Sequence, residues 1–177
     1  MANEKKLDRV ILGMLCHQDM TGYEIKKRMD TVFRFFWGAS YGSIYPTLRE
    51  LVEGGLATKS ASKRNGRENV TYSITGNGRS YLRDWLALPA EKDELRYETL
   101  LKLFFSDEAG GEAALEHVQR FEEKIRRELG VLRAMANQLE GIQDENRAHK
   151  YYLLTAKFGI KSYEAYLEWC EEAKVLL

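Results

Sequence analysis

Proline is scarce in this chain, with 2 in 177 residues. So few helix breakers beside an apolar fraction of 44% argue for a mostly helical protein with ordinary core material and no disordered tracts. Cysteine is as rare. Cys16 and Cys170 lie far apart in apolar helical contexts, which reads as two buried thiols rather than a disulfide and fits a reducing cytoplasm. Long apolar runs are missing: Val10–Cys16 falls far short of a bilayer's thickness. Residues 1–8 lack the apolar core of a leader, so neither a membrane nor a targeting segment is expected. The three histidines, His17, His117 and His149, share no ligand spacing with one another or with the cysteines, which speaks against a metal. No His-Glu-x-x-His, Gly-x-Ser-x-Gly or phosphate-loop pattern occurs. The expectation is a protein that is not an enzyme and carries no cofactor.

Net charge is also absent, because 27 Lys and Arg balance 27 Asp and Glu. The balance hides a direction. Residues 1–90 hold 14 cationic against 9 acidic side chains, whereas residues 91–177 hold 13 against 18. One half is attracted to a polyanion and the other repelled.

Leu7 to Cys16 reads as a first helix with Leu7, Val10, Ile11, Met14 and Leu15 inward. Thr21 and Glu24 stand at capping-box spacing and open a second helix, along which Tyr23, Ile25 and Met29 give an inward stripe. Phe33-Arg34-Phe35-Phe36-Trp37 is an aromatic connector to be wedged between helices. A third helix follows. Pro46 is tolerated only in a first turn, which makes Ser43 rather than Ser40 the cap, and Gly54-Gly55 ends the helix after about ten residues. Ile44, Leu48, Leu51 and Val52 face inward. Ser40, Tyr41, Ser43, Tyr45 and Arg49 fall on its front end and outer face, and these residue types touch phosphates and base edges.

Leu56–Ala61 and Asn69–Thr75 are strand-like, with Val70, Tyr72 and Ile74 alternating with polar residues. They flank a basic tip, Lys63-Arg64-Asn65-Gly66-Arg67, in which Asn65-Gly66 is a favoured hairpin turn. Thr75 caps a fourth helix through Tyr81, Leu82, Trp85 and Leu86. Gly76-Asn77-Gly78 lacks the third glycine and the βαβ setting of a phosphate loop and reads as a turn. A groove-reading helix beside a backbone-gripping hairpin is a winged helix-turn-helix, so a DNA-binding regulator is expected.

Leu88-Pro89-Ala90 marks a boundary between domains at 1–87 and 88–177. Beyond it Leu95–Phe105 is apolar on several sides. From Glu108 to about Gln138, Leu115, Val118, Phe121, Ile125, Leu129, Leu132, Met135 and Leu139 form a coiled-coil-like seam. Asn146 to Ala173 is a second long helix, rich in Tyr151, Tyr152, Phe158, Tyr163, Tyr166 and Trp169. Two such wide apolar faces ask for a partner. The expected dimer interface is Leu115, Val118, Phe121, Ile125, Leu129, Leu132, Tyr152, Phe158, Tyr163, Tyr166 and Trp169. The aromatics have two other readings, a pocket for a flat aromatic effector and a surface for another protein.

Leu12-Gly13-Met14-Leu15, Thr21-Gly22-Tyr23-Glu24-Ile25, Gly42-Ser43-Ile44-Tyr45-Pro46 with its downstream Gly55-Leu56, and Tyr72-Ser-Ile-Thr75-Gly-Asn-Gly78 share one resemblance. Over Leu7–Leu86 the chain resembles the PadR-like family of winged helix-turn-helix transcriptional regulators. Its second half, best at Leu100–Phe105, is similar to the longer members, whose helical C-terminal domain mediates dimerisation. The resemblance implies a mainly α protein. Residues 1–87 would hold three helices, a two-stranded wing and a fourth helix; residues 88–177 would hold a helical, coiled-coil-like dimerisation domain. It further implies a cytoplasmic homodimeric repressor of double-stranded operator DNA, with a small-molecule effector as a possible further partner.

The residues expected at DNA are Thr21, Tyr23, Ser40, Tyr41, Gly42, Ser43, Tyr45, Arg49, Lys63, Arg64, Asn65 and Arg67. Arg49 is the one placed to pair with guanine, while the hydroxyls hold phosphates. Plainer readings stand beside these. Tyr45 could instead pack beneath its helix, the basic tip could simply blunt a hairpin edge, and Lys26-Lys27-Arg28 is equally a solvated face. The alternative function is a winged-helix protein-interaction module without direct DNA binding.

Overall fold

The computed structural model describes residues 6–35, 37, 43–64, 67–90, 97–108, 111–142 and 148–177, with the backbone alone at 62–64, 67–69 and 108. The chain divides into two compact units, residues 1–93 and 94–177.

In the first unit, α1 (Leu7–Leu15) buries Leu7, Ile11, Leu12, Met14 and Leu15. Strand β1 (Met20–Thr21) leads into α2 (Gly22–Thr31) through a complete capping box. The Glu24 N–H donates to the Thr21 hydroxyl oxygen at 3.2 Å, and the Thr21 N–H donates to the Glu24 carboxylate at 2.8 Å. The Thr21 N–H and the Thr21 hydroxyl, both donating to the Glu24 carboxylate, hold that carboxyl below its ordinary pKa. Ile25 and Met29 point inward as expected, but Tyr23 does not: it is 70% exposed, and Gly22 takes the buried place. A short 3-10 turn, Phe33–Phe35, carries the connector, from which Phe33 and Trp37 pack on the core; Phe36 lies outside the described residues.

Helix α3 spans Ile44–Glu53, so Pro46 is its third residue, where a missing N–H costs little. Ser43 holds the N-cap position without a side-chain cap bond. Its backbone is already helical (φ −91°, ψ −13°), and a capping hydroxyl needs the extended conformation. At the other end Gly55 takes φ 68°, and the Leu56 N–H reaches back to the Leu51 carbonyl at 2.9 Å.

Strands β2 (Ala57–Arg64) and β3 (Arg67–Ile74) form the hairpin, with Arg64 opposite Arg67. The sheet has three strands, in the order β1-β3-β2, rather than the two expected. Two residues are too few for alternation to reveal β1. Tyr72 and Ile74 pack on the core, whereas Val70, nearer the hairpin tip, is exposed.

Helix α4 (Gly76–Leu86) is capped by Thr75, whose hydroxyl accepts the Gly78 N–H at 3.0 Å and donates to the Gly55 carbonyl at 2.8 Å. The Gly-Asn-Gly run expected as a turn is therefore the helix's first turn. The reason for Gly78 is proximity: a Cβ there would lie 2.1 Å from the Leu56 carbonyl oxygen. Leu82 is buried and Leu86 is exposed.

The second unit holds α5 (Glu98–Phe104), a 3-10 turn at Ser106–Glu108, α6 (Gly111–Glu140) and α7 (Ala148–Leu176). Ion pairs Glu122–Lys174, Arg133–Glu164 and Glu140–Lys157 advance along α6 while retreating along α7, so the two run antiparallel. Gly159 lets them close in, since a Cβ there would come within 3.0 Å of Leu132 Cδ1. Val118, Phe121, Ile125, Leu129 and Leu132 are all buried inside the chain. The seam assigned to a dimer is thus largely closed by α7 of the same chain. Among the described residues no helix is long and apolar enough to cross a membrane.

Candidate nucleic-acid interface

The outer face of α3 is set by what the inner face needs. Ile44, Leu48 and Leu51 are sealed in the core, together with Met14, Ile25 and other buried residues of α1 and α2. Tyr45 and Arg49, one turn apart, are left on the opposite side, both exposed. Arg49 is the sole cation of that helix, beside exposed Glu50 and Glu53. A single forked guanidinium among carboxylates suits a specific contact better than a general hold on phosphate.

Tyr45 does not tuck beneath its helix. It is 60% exposed, and its ring stands over the start of α2, where a Cβ built at Gly22 would meet Tyr45 Cε1 at 2.6 Å. Tyr23 is exposed on that same α2 turn. Ser43, half-buried, gives its carbonyl to the Thr47 hydroxyl at 2.7 Å. Thr21 is less available than its hydroxyl suggests: the oxygen accepts the Glu24 N–H and donates to the Glu24 carboxylate at 2.8 Å. Ser40, Tyr41, Gly42 and Asn65 lie outside the described residues. Lys63, Arg64 and Arg67 are located by backbone alone, at the hairpin tip, where Lys63 pairs with Glu68. Lys26 and Lys27 are exposed and Arg28 is half-buried.

One arrangement had no sequence signal. The Tyr81 hydroxyl donates to Asp8 at 2.8 Å, and the Arg9 guanidinium lies 4.9 Å from the Tyr81 ring centre and 5.8 Å from that of Trp85. Burial, reinforced by Asp8, pushes the Tyr81 phenol pKa up. This clamp ties α4 to α1. Asp8 and Arg9 look like ordinary surface charges in the sequence because their ring partners are remote in the chain, Tyr81 being 73 positions from Asp8.

The aromatic residues of α7 divide. Tyr163, Tyr166 and Trp169 pack against the cluster of Val118, Phe121, Ile125 and Cys170, while Tyr151, Tyr152 and Phe158 are exposed. The Tyr97 and Tyr166 hydroxyls share a 2.7 Å hydrogen bond, and burial drives the Tyr97 phenol pKa far upward. Glu122 accepts from Arg126 and from Lys174, the latter at 2.8 Å, and the two cations hold its carboxyl below the ordinary range. Cys170 is buried, and the same burial pushes its thiol pKa up. The hollows lined by α6 residues are open grooves; one has Tyr97 and Phe121 beside Lys102, His117, Arg120 and Lys124. No cluster of three or more potential metal ligands occurs among the described residues.

Residues 11–84 match the transcriptional regulator PadR-like family, and residues 95–177 match the virulence activator alpha C-terminal family. A probable transcriptional regulator of Mycobacterium tuberculosis is 34% identical over 84 residues, which is 47% of this chain and 44% of that relative. The chain thus spans less than half the length of that relative. The negative transcriptional regulator PadR of Bacillus subtilis is 24% identical over 177 residues, with 97% of each chain covered. A PadR-like transcriptional regulator from Bacillus cereus has the same fold at a TM-score of 0.80 and 28% identity, covering 94% of this chain and 92% of that one. The likeness to B. subtilis PadR in complex with operator DNA, TM-score 0.83 at 22% identity over 97% of both chains, is one of fold. Two adjoining family matches, and a PadR-like structure that follows nearly the whole chain, show that this protein carries a PadR-like transcriptional-regulator domain at residues 11–84, followed by a virulence activator alpha C-terminal domain at residues 95–177.

Proposed function

We propose that the protein is a sequence-specific, homodimeric DNA-binding repressor that acts by occupying a pseudo-palindromic operator. The observation that carries the reading is the exposed Tyr45–Arg49 face of a helix whose other face is sealed in the core, together with a hairpin whose tip is basic. In this reading α3 enters the major groove, Arg49 pairs with a guanine edge and Tyr45 and Tyr23 hold phosphates. The hairpin tip, through Lys63, Arg64 and Arg67, follows the backbone beside it. The B. subtilis relative solved on operator DNA supports this use of the fold.

Dimerisation is the second part. Helix α5 buries none of its own residues, and Leu100, Leu101, Phe104 and Phe105 are all exposed. On α7, Tyr151, Leu154 and Phe158 form an exposed stripe at helical spacing. A second copy covering these faces is the occupant proposed, in place of the buried seam. Two α3 helices would then meet half-sites roughly 34 Å apart. A small aromatic effector would relieve repression by binding better to a dimer with the wrong helix spacing, since equal affinity for both states shifts nothing. B. subtilis PadR has been solved with p-coumaric acid, which supports testing that class first.

The test replaces Lys63, Arg64 and Arg67 together by alanine and follows operator affinity against salt. Removing three phosphate-neutralising cations from each subunit flattens the log–log slope by about 5 for a dimer. An unchanged slope removes the wing from the interface.

A further inference from the structure

We infer that Gly22 is a positioning residue for DNA recognition: it is the seat on which the Tyr45 ring rests, and its missing side chain sets where the Tyr45 phenol points. The inference rests on the proposed DNA-binding reading, because a seat matters only if Tyr45 touches the operator.

The geometry is specific. A Cβ at Gly22 would stand 2.6 Å from Tyr45 Cε1, 3.1 Å from Cζ and 3.3 Å from the hydroxyl oxygen. These three atoms run along one edge of the ring out to its polar end, so the phenol lies against the backbone of residue 22. Ordinary carbon contacts are near 3.5–4.0 Å, so with any side chain at 22 something must move.

The seat itself is held on several sides. Met20 and Thr21 are paired in the sheet with Tyr72 and Thr71. Thr21 and Glu24 close the capping box around the same turn. Ile25, one turn on, is fully buried. The backbone under Tyr45 is equally fixed, because its neighbour Ile44 and then Leu48 are locked in the core. Between two pinned backbones the one part free to yield is the Tyr45 ring, which is 60% exposed and can swing outward. A methyl at residue 22 therefore converts into a displacement of a side chain on the recognition face.

Nothing in the local conformation of Gly22 asks for glycine on its own account. Its φ is not in the left-handed region, as that of Gly55 is, and it is the first residue of α2, where alanine is tolerated and is the better helix former. By helix preference alone Gly22→Ala is neutral or stabilising. The glycine's use lies across the gap, at Tyr45.

Four proteins test this: wild type, Gly22→Ala, Tyr45→Ala and the double variant, each measured for operator affinity and thermal unfolding as the full chain. Loss of one hydrogen bond to a phosphate predicts weakening on the order of tenfold per half-site for Tyr45→Ala. Gly22→Ala should weaken binding to a similar degree without lowering the unfolding temperature. The double variant should bind no worse than Tyr45→Ala alone, because a displaced ring that is absent cannot be displaced again. If Gly22→Ala does lower the unfolding temperature, Tyr45→Ala must restore it, since the clash is with that ring. Additive losses in the double variant, or full affinity in Gly22→Ala, overturn the inference while leaving DNA binding intact. Full affinity in Tyr45→Ala overturns it together with the assigned role of Tyr45.

Discussion

The two units treat their apolar residues differently. In the first, α1, α2, α3, the sheet and α4 enclose a core in which Leu7, Ile11, Leu12, Ile25, Ile44 and Leu48 are almost wholly removed from water. What reaches the surface of α3 is a tyrosine, a proline, an arginine and two carboxylates. In the second unit α6 and α7 bury one seam between them, yet Phe104 stays 80% exposed and Phe158 72% exposed. The first unit completes its core within one chain and has a polar face left over for a polar ligand. The second leaves an apolar face uncovered, the condition that favours association with another apolar face. Stability should accordingly belong to one chain in the first unit and to an assembly in the second.

Three substitutions probe that contrast. Leu48→Ala should cost about 3–4 kcal/mol, as a fully buried leucine does when no neighbour can collapse into the space. The loss, read by chemical denaturation, should be the same at low and high protein concentration; a concentration-dependent loss would show that the first unit too relies on a partner. Phe104→Asp with Phe158→Asp should weaken self-association by about a hundredfold or more, since each subunit then buries two charges where aromatic rings met. Sedimentation over a dilution series reads it, and because folding is linked to assembly the unfolding midpoint of the second unit should fall with it. A double variant that associates like the wild type would place the interface elsewhere.

The smallest effect concerns the seam that α6 and α7 do close. Glu122→Gln should cost about 1–2 kcal/mol at neutral pH, because two cations lose a carboxylate while staying partly in water. The sign of the pH dependence follows from the direction of the shift. Lys174 and Arg126 hold the Glu122 pKa below 4.5 in the folded chain. The stabilisation is therefore complete above that pH and is lost as the pH falls through the folded value. The gap between wild type and Glu122→Gln in thermal unfolding should narrow below about pH 4 and stay constant above about pH 6. A gap that persists undiminished at about pH 3 would mean that packing, and not charge, carries the effect.

Much of the first unit is legible in the sequence because its signals are local. Thr21 with Glu24, Pro46 with Gly54-Gly55, and Thr75 each act within a turn or two of their own position, and each reports a helix end at its place. Tyr23 departs from its expected place because the helical period itself points elsewhere: Gly22, Ile25 and Met29 stand three and four residues apart on one face, whereas residues two apart, such as Tyr23 and Ile25, do not share a face. Strand β1 is invisible in the sequence because two residues carry no period. In the second unit the spacing of Val118, Phe121 and Ile125 announces a seam correctly and cannot say whose helix fills it.

By itself the sequence determined where several of the first unit's helices begin or end, that a basic hairpin follows a two-faced helix, and that the second half is helical and richly apolar. These follow from backbone capping, proline and glycine chemistry and hydrophobic period, all of which act over a few residues. Only the tertiary structure decided which apolar faces meet. It closed the α6 seam with α7 through Gly159 and the ion pairs at Glu122, Arg133 and Glu140, and left Leu100, Leu101 and Phe104 of α5 and the Tyr151–Leu154–Phe158 stripe uncovered. It also set Tyr45 on Gly22, a residue of a different helix. Packing joins surfaces by shape and distance in space, and no period along a chain encodes which two will touch.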